Sequence, residues 1–387
     1  MLTDTIYYLF LIPLAIGYRF TRGWARPLTL SLAGVAFYYY YAGNALWLLL
    51  GLTAGTWVLL FGLKSGDTGR SRAIRMGAAA AIVASVGVLL YFKYSGFLRS
   101  VFLQELPRHV FAPLAISFFT FEFVHVAAER LKGNLRDVKF LNYFAFIFFF
   151  PTMVAGPIKR YQQFTPCLAG DPADATDFLE GLFRILLGLF KKLVIADNLD
   201  TIIQEIGGPS KTHNRALLAL AVLLYGFRIL CDFAGYSDIA IGSARWFGIR
   251  VPENFLYPYR QTNIAHFWRH WHVSLSSWLT DYVFIPLGGS RGTVYRTALN
   301  IVLVMLVSGL WHGAAWNFVL WGGWHGVMLA THRLYSRLVV PRLPAAFAAG
   351  KLALAGGYSL TMLGVWLGWA CFMWPVDELR RLVGARA

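Results

Sequence analysis

The chain has 387 residues, of which 57% are hydrophobic and only 14% charged, against about 25% charged residues in an ordinary soluble domain. With a mean hydropathy of +0.54 and several runs approaching the roughly 20 apolar residues that cross a bilayer, this excludes a typical soluble globular protein and points to an all-α polytopic membrane protein, read as one membrane-embedded domain over residues 1–387. The formal net charge of +16 fits Lys and Arg gathered in cytoplasmic loops facing anionic headgroups better than a nucleic-acid partner, since no DNA- or RNA-binding module is recognisable.

Residues 5–20 are apolar, with no basic segment before them and no small-residue cleavage site after. They read as a retained first helix or one lying partly in the interface. Arg19, Arg22 and Arg26 follow, then apolar segments near 28–42 and 45–63, then a loop with Lys64, Arg70, Arg72 and Arg75 against the single acid Asp67. Two basic loops separated by two spans lie on one side of the membrane. The positive-inside rule makes that side the cytoplasm and sends the N-terminus outward.

A further span is expected near 76–95. In residues 110–130, Glu122, His125 and Glu129 recur at near-helical spacing. That pattern predicts a helix inside the bundle whose polar face looks into a water-filled cavity, or takes a direct part in the reaction pathway. Residues 139–156 are strongly aromatic, and Pro151 should end or kink their helix. A helix near 178–197 is expected to close on Lys191 and Lys192. It precedes a Gly/Pro/Ser loop at 202–214 and an apolar segment at 215–232. Pro252 and Pro258 make 249–263 an irregular connection. Irregular backbone at membrane depth is tolerated only when buried in protein or lining a cavity. A central helix over 263–284, a turn at Gly288 and Gly289, and spans near 296–311, 314–335 and 350–374 complete the chain, whose tail carries Arg380, Arg381 and Arg386. Cys167, Cys231 and Cys371 are widely spaced and odd in number, which gives neither a disulfide framework nor a zinc site.

Five of the nine histidines fall between 263 and 326: His266, His270, His272, His312 and His325. Ionisable groups at membrane depth are costly and usually functional. On a continuous helix, Trp268, His272 and Ser276 share a face at four-residue spacing, and Asp281 lies near its end. His312 precedes Gly313, where a helix starts or breaks. A histidine in either place can act as a general base, and two together can divide the work on a hydroxyl and an acyl carbonyl. His266 and His270 have the spacing of two metal ligands, but the helix lacks the glutamate of an HExxH motif, so no metal is expected. His325 is a supporting or packing residue, and Trp311, Trp316 and Trp324 are candidates to line a groove beside the histidines.

The paired stretches FWRHWHVSLSSWLTDYVFIPLGG and GLWHGAAWNFVLWGGWHG, supported by PLAISFFTFEF, FFPTMVAGPIKRYQQF and CDFAGYSDIAIGSARWFGIRVPENFLYPYR, resemble the bacterial membrane-bound O-acyltransferase (MBOAT) family. They are most similar to the branch that contains the alginate O-acetyltransferase membrane subunit, a branch related to the D-alanyl transferase of teichoic acid assembly. Together they cover most of residues 90–335. The resemblance implies a ring of about 10–12 transmembrane or re-entrant helices around a thinned centre with a central tunnel. It implies that His312 is the catalytic residue and His272 the second active-site position. An acyl group from acyl-CoA (acetyl-CoA first), or from a thioester on an acyl carrier protein, would pass to a hydroxyl on the outer side. No bound cofactor is implied.

The expected setting is a bacterial cytoplasmic (inner) membrane, with a polysaccharide or cell-envelope glycan as acceptor and periplasmic acyltransferases as possible partner proteins. PLGGSRGT favours the acetylating branch. The continuation VHVAAERLKG and the shorter C-terminus depart from the alginate pattern and bear on the acceptor rather than the reaction class. Two readings of other classes are a proton-coupled transporter, against which the lack of internal symmetry counts, and a non-catalytic scaffold for a soluble acyltransferase.

Overall fold

A computed structural model describes residues 1–62, 71–102, 112–344 and 350–384. The expected basic loop at Lys64, Asp67 and Arg70, residues 110 and 111 of the polar-faced segment, and Arg386 lie outside the described residues. Within them the chain is helical apart from turns and one isolated antiparallel bridge, Phe255 to Trp271. Five helical stretches are long and apolar enough to cross a membrane: Ala45–Gly62, Arg72–Phe102, Arg215–Arg245, Val294–His312 and Lys351–Met373. The chain divides into two compact units, Met1–Leu189 with Gly235–Pro252, and Phe190–Ala234 with Glu253–Ala387.

The first unit opens with α1 (Thr5–Tyr18), α2 (Ala25–Ala42) and α3 (Ala45–Trp57), which runs on as a π-helical turn to Gly62. Next come α4 (Arg72–Leu89), continued by a π-turn into α5 (Ser95–Phe102), and α6 (Ile116–Leu131). The aromatic segment breaks into α7 (Phe140–Ile147) and the one-turn α8 (Phe150–Met153). The break at Phe148–Phe149 precedes Pro151, which therefore sits in the first turn of α8, where its missing N–H leaves no hydrogen bond unmade. Phe146, Phe148, Phe149 and Phe150 are fully buried. Phe150 packs against Tyr7 at 6.0 Å, Phe37 at 5.4 Å and Phe247 at 5.8 Å between ring centroids. Buried aromatic rings of this kind carry a large share of apolar contact area.

Among the described residues the polar face of α6 is met by protein groups. Glu122 pairs with Lys159, both buried. His125 Nε2 accepts the backbone N–H of Tyr161 at 2.9 Å. Glu129 accepts from Lys132, Asn134 and Gln162 at 2.7–2.9 Å. These bonds fix the GPIKRYQQF segment and the start of α9 (Tyr161–Ala169) against α6. The unit ends with α10 (Ala175–Leu189).

In the second unit a π-turn over Phe190–Ala196 leads into α11 (Asp197–Ile206). The helix expected to close on Lys191 and Lys192 continues to Ile206, because Lys192 is neutralised by Asp197 at 2.5 Å and Asp232 at 2.8 Å. Residues 202–206 are thus helical rather than loop. The next helix, α12, is continuous over Arg215–Arg245, longer than the segment expected at 215–232. After an irregular stretch with a 3₁₀ turn at Pro258–Arg260 come α13 (Ile264–His270) and α14 (Val273–Leu279), the latter extended by a π-turn to Phe284. Then follow α15 (Val294–His312), α16 (Trp316–Leu334), α17 (Lys351–Met373) and α18 (Val376–Leu382).

α15 and α16 form a tight antiparallel pair. A Cβ on Gly309 would stand 2.2 Å from the Phe318 carbonyl oxygen, and one on Gly322 2.4 Å from that of Met305. Small residues at such crossings let backbones approach where lipid offers no hydrophobic drive for association. This closeness sets the positions of Trp311 and His312 on one helix against Trp321 and His325 on the other.

Candidate active site

The central helix expected over 263–284 is broken, and the break is at His272. α13 is capped by Asn263, whose side chain accepts the His266 N–H at 2.9 Å, and it ends at His270. Trp271 is extended, with φ −103° and ψ 125°. His272 is left-handed, with φ 45° and ψ 54°, a conformation that costs a non-glycine residue about 1–3 kcal/mol and persists only where its surroundings enforce it.

The enforcement comes from Asn254–Leu256. Leu256 N–H donates to the His270 carbonyl at 3.0 Å, and Val273 N–H donates to the Asn254 carbonyl at 3.0 Å. The Asn254 side-chain oxygen accepts the Ser274 hydroxyl at 2.6 Å. Trp268, His272 and Ser276 therefore do not share one helical face. The imidazole is displaced from it, and α14 restarts behind it.

His272 is buried, at 1% exposure, and its Nε2 has no hydrogen-bond partner among the described residues. Its ring meets Phe233 of α12 edge-on at 4.6 Å and Trp311 at 5.9 Å. His312, the last residue of α15, is half-buried. Its ring packs on Trp311 at 4.7 Å, Trp321 at 5.0 Å and Phe372 at 5.0 Å. One indole, Trp311, thus touches both imidazoles, so two residues 40 positions apart in sequence share an aromatic cluster.

The cluster extends to His325, which is fully buried between Trp268 at 5.2 Å, Trp321 at 5.1 Å and Trp369 at 6.3 Å. Both of its ring nitrogens and the indole nitrogens of Trp268 and Trp321 lack partners among the described residues. Buried polar groups are nearly always hydrogen-bonded, so this concentration of nitrogens without protein partners sets the cluster apart from the rest of the core.

Beside the cluster, in the same unit, lies a cavity of ≈ 520 Å³. Its walls are mainly apolar, with Leu275, Val304 and Met305 among them, and its polar groups come from Trp268, Arg269, Ser276, Ser277, Thr280, Asp281 and Ser308. Val273, directly after His272, and Ser308, one helical turn before His312, belong to its wall. The Ser308 hydroxyl is another buried group without a partner among the described residues.

Of the residues singled out in the sequence, His272, His312 and Trp311 come together, and Trp268 and His325 join them through Trp321. Ser276 and Asp281 line the cavity together with Trp268. Trp316 and Trp324 are the more exposed tryptophans of α16, at 55% and 39%, and the Trp324 indole donates to the Gly364 carbonyl at 2.7 Å. Trp321 and Phe372 pack on the His312 ring. His270 Nδ1 lies 2.7 Å from the His266 carbonyl oxygen, so this ring nitrogen is occupied by the backbone. Asn254, Phe233, Trp321 and Phe372 were not foreseen. For Trp321 a signal existed: it lies four residues before His325, and Gly322 and Gly326 on the same side of α16 mark the packed face.

Residues 74–367 match the membrane-bound O-acyltransferase family. The chain belongs to the MBOAT family. It is an O-acyltransferase and a multi-pass membrane protein. Among similar proteins, a probable alginate O-acetylase of Pseudomonas aeruginosa is 33% identical over 386 residues, spanning 96% of this chain and 71% of that protein. A peptidoglycan O-acetyltransferase of Helicobacter pylori is 33% identical over 83% of this chain and 68% of its own length. A teichoic acid D-alanyltransferase of Bacillus subtilis is 32% identical over 66% of this chain and 68% of its own. Transfer of an acyl group to a hydroxyl needs a base for the hydroxyl proton and a donor to the carbonyl oxygen. Two imidazoles beside an apolar cavity can meet both needs.

Proposed function

We propose that this MBOAT enzyme moves an acetyl group from a cytoplasmic thioester donor to hydroxyls of an exported polysaccharide or cell-envelope glycan. We place it in the cytoplasmic (inner) membrane of a bacterium, with the family's ring of about 10–12 helices and central tunnel around the site. The observation that carries the mechanism is Trp311 packed against both His272 and His312.

His312 is the general base. The acceptor hydroxyl oxygen attacks the thioester carbonyl carbon as its proton passes to the His312 imidazole. The C–S bond breaks, and the leaving thiolate takes that proton and departs as the free thiol. His272, protonated at its unpaired Nε2, donates to the carbonyl oxygen as negative charge develops there. Charge-stabilising donors of this kind are worth most in a water-poor site. Asp281, Ser276 and Trp268 shape the donor's cavity, and His325 supports the ring cluster.

Acetyl transfer is favoured over D-alanyl transfer by the sequence PLGGSRGT and by the alginate and peptidoglycan acetylating relatives. A periplasmic acyltransferase is a partner for completing the modification of a distant glycan. The test follows release of free thiol and labelled acetyl from radiolabelled acetyl-CoA by protein in nanodiscs. Wild type is expected to release both. His312→Ala, folded by the same thermal criterion, should fall at least about 100-fold, the lower end of what general-base catalysis contributes. Full turnover by His312→Ala would remove this histidine from the chemistry.

A further inference from the structure

The second unit holds a groove of ≈ 470 Å³ with basic and apolar walls. Its cations are Arg269 of α13, Arg333 near the end of α16 and Arg337 in the turn that follows. Phe284, Ile301 and Leu329 supply apolar surface. Among the described residues no aspartate or glutamate lines the groove, and the sequence has none anywhere between Asp281 and Asp377. Arg333 is half-buried, and its Nε has no hydrogen-bond partner among the described residues. Guanidiniums gathered without carboxylates repel one another. Phosphate oxygens relieve that repulsion, and their geometry matches the guanidinium fork.

The apolar walls favour an amphiphile over a small inorganic anion. The elements around the groove expose Leu299 and Val327, with Tyr335 and Val339 on the turn after α16. In a membrane-spanning protein such side chains meet lipid. The start of α15 and the end of α16 also carry Arg291, Arg296 and Arg342. By the positive-inside rule this end lies at the cytoplasmic leaflet, where anionic lipids are found.

We infer that the groove is a binding site for an anionic phospholipid of the cardiolipin class. Its phosphodiesters lie among Arg269, Arg333 and Arg337, and an acyl chain lies against Phe284, Ile301 and Leu329. Basic pockets between membrane helices are suited to such headgroups. A lipid held there ties α13, which ends two residues before His272, to the far end of α16. The site is separate from the acyl-transfer chemistry and needs no thioester to be occupied.

The test titrates the full chain, in neutral detergent with phosphatidylcholine, with radiolabelled cardiolipin and reads the label that stays with the protein. Wild type is expected to bind cardiolipin saturably and labelled phosphatidylcholine only at background. Arg333→Gln and Arg337→Gln should each weaken cardiolipin binding about tenfold, the effect of losing one charge-assisted contact. Arg296→Gln removes an exposed charge at the same end but outside the groove, and should bind as wild type does. Arg337 is exposed, so its replacement leaves packing intact, and melting without added cardiolipin checks the fold of each variant. Wild-type affinity in both groove variants overturns the assignment. Equal weakening in all three variants also overturns it, since diffuse surface charge would then be responsible. Displacement of the lipid by inorganic phosphate would make this a free-phosphate site, and displacement by acetyl-CoA would give it to a soluble nucleotide. Either result overturns the lipid assignment. Binding is read without a thioester, so its failure leaves acyl transfer standing, and failure of thiol release leaves the lipid site standing.

Discussion

At the scale of single residues the site depends on a conformation that His272 would not adopt alone. Its φ of 45° is held by the Asn254–Leu256 segment, where Asn254 is fully buried and accepts the Ser274 hydroxyl at 2.6 Å and Phe255 packs on Trp271 at 5.0 Å. In Asn254→Ala the backbone bond from Val273 survives, but Ser274 loses its acceptor. The expected cost is about 1 kcal/mol of stability for the lost buried hydrogen bond, with a disproportionate fall in kcat as the imidazole loses its fixed direction. Thermal unfolding and thiol release measured on the same preparation separate the two. A variant that loses stability and keeps full kcat would show that the left-handed turn is only structural. The break at His272 was not legible in the sequence, because the residue there is neither glycine nor proline, and the force that breaks the helix comes from a segment some 17 residues away. The prolines that make 249–263 irregular were legible, since they act on their own backbone.

At the scale of elements, what could be read and what could not divide along the same line. Apolar runs and their ends gave α1–α4 and α15–α17 to within a few residues, because desolvation fixes spans locally. The helix through Lys191 and Lys192 was expected, but its continuation to Ile206 was not, because two adjacent cations look like a terminus until Asp197 and Asp232 are seen beside Lys192. His312 and His272 were identifiable from their motifs, but the selection among α16 tryptophans required knowing which side faces α15. That side is defined by glycine. Gly322→Ala would put a Cβ 2.4 Å from the Met305 carbonyl oxygen and 3.2 Å from the Gly309 Cα, and neither is a side chain that can swing away. Overpacking of this kind costs about 1–3 kcal/mol, and the helices must separate just where Trp321 meets His312. Gly323→Ala is the control, since its nearest neighbour is Leu306 Cδ2 at 3.7 Å. The expected result is a lower melting temperature and reduced acyl transfer for Gly322→Ala, with Gly323→Ala close to wild type. Equal behaviour of the two would mean that the α15–α16 approach has no influence on the site.

For the whole molecule the question is direction: the proposed transfer from a cytoplasmic donor to an exported glycan requires a fixed orientation. The charge that sets it is uneven, with 35 Lys and Arg against 19 Asp and Glu. In the first unit, Arg22 lies before α2 and Arg75 in the first turn of α4, both exposed, with α2 and α3 between them in sequence. If α2 and α3 form a down-and-up pair, both arginines face the cytoplasm and the N-terminus faces outward. Arg26 would report nothing, since it is buried and its guanidinium donates to the carbonyls of Thr21 and Leu168. Single cysteines at Arg22→Cys and Arg75→Cys, in a background where Cys167, Cys231 and Cys371 are replaced, distinguish the arrangements. A membrane-impermeant maleimide is expected to label both in inverted vesicles and neither in intact cells. Labelling of both from outside would reverse the orientation expected for this unit. Labelling from opposite sides would mean that only one of α2 and α3 crosses, and that the positive charge is answering to helix packing in the first unit instead of to the membrane.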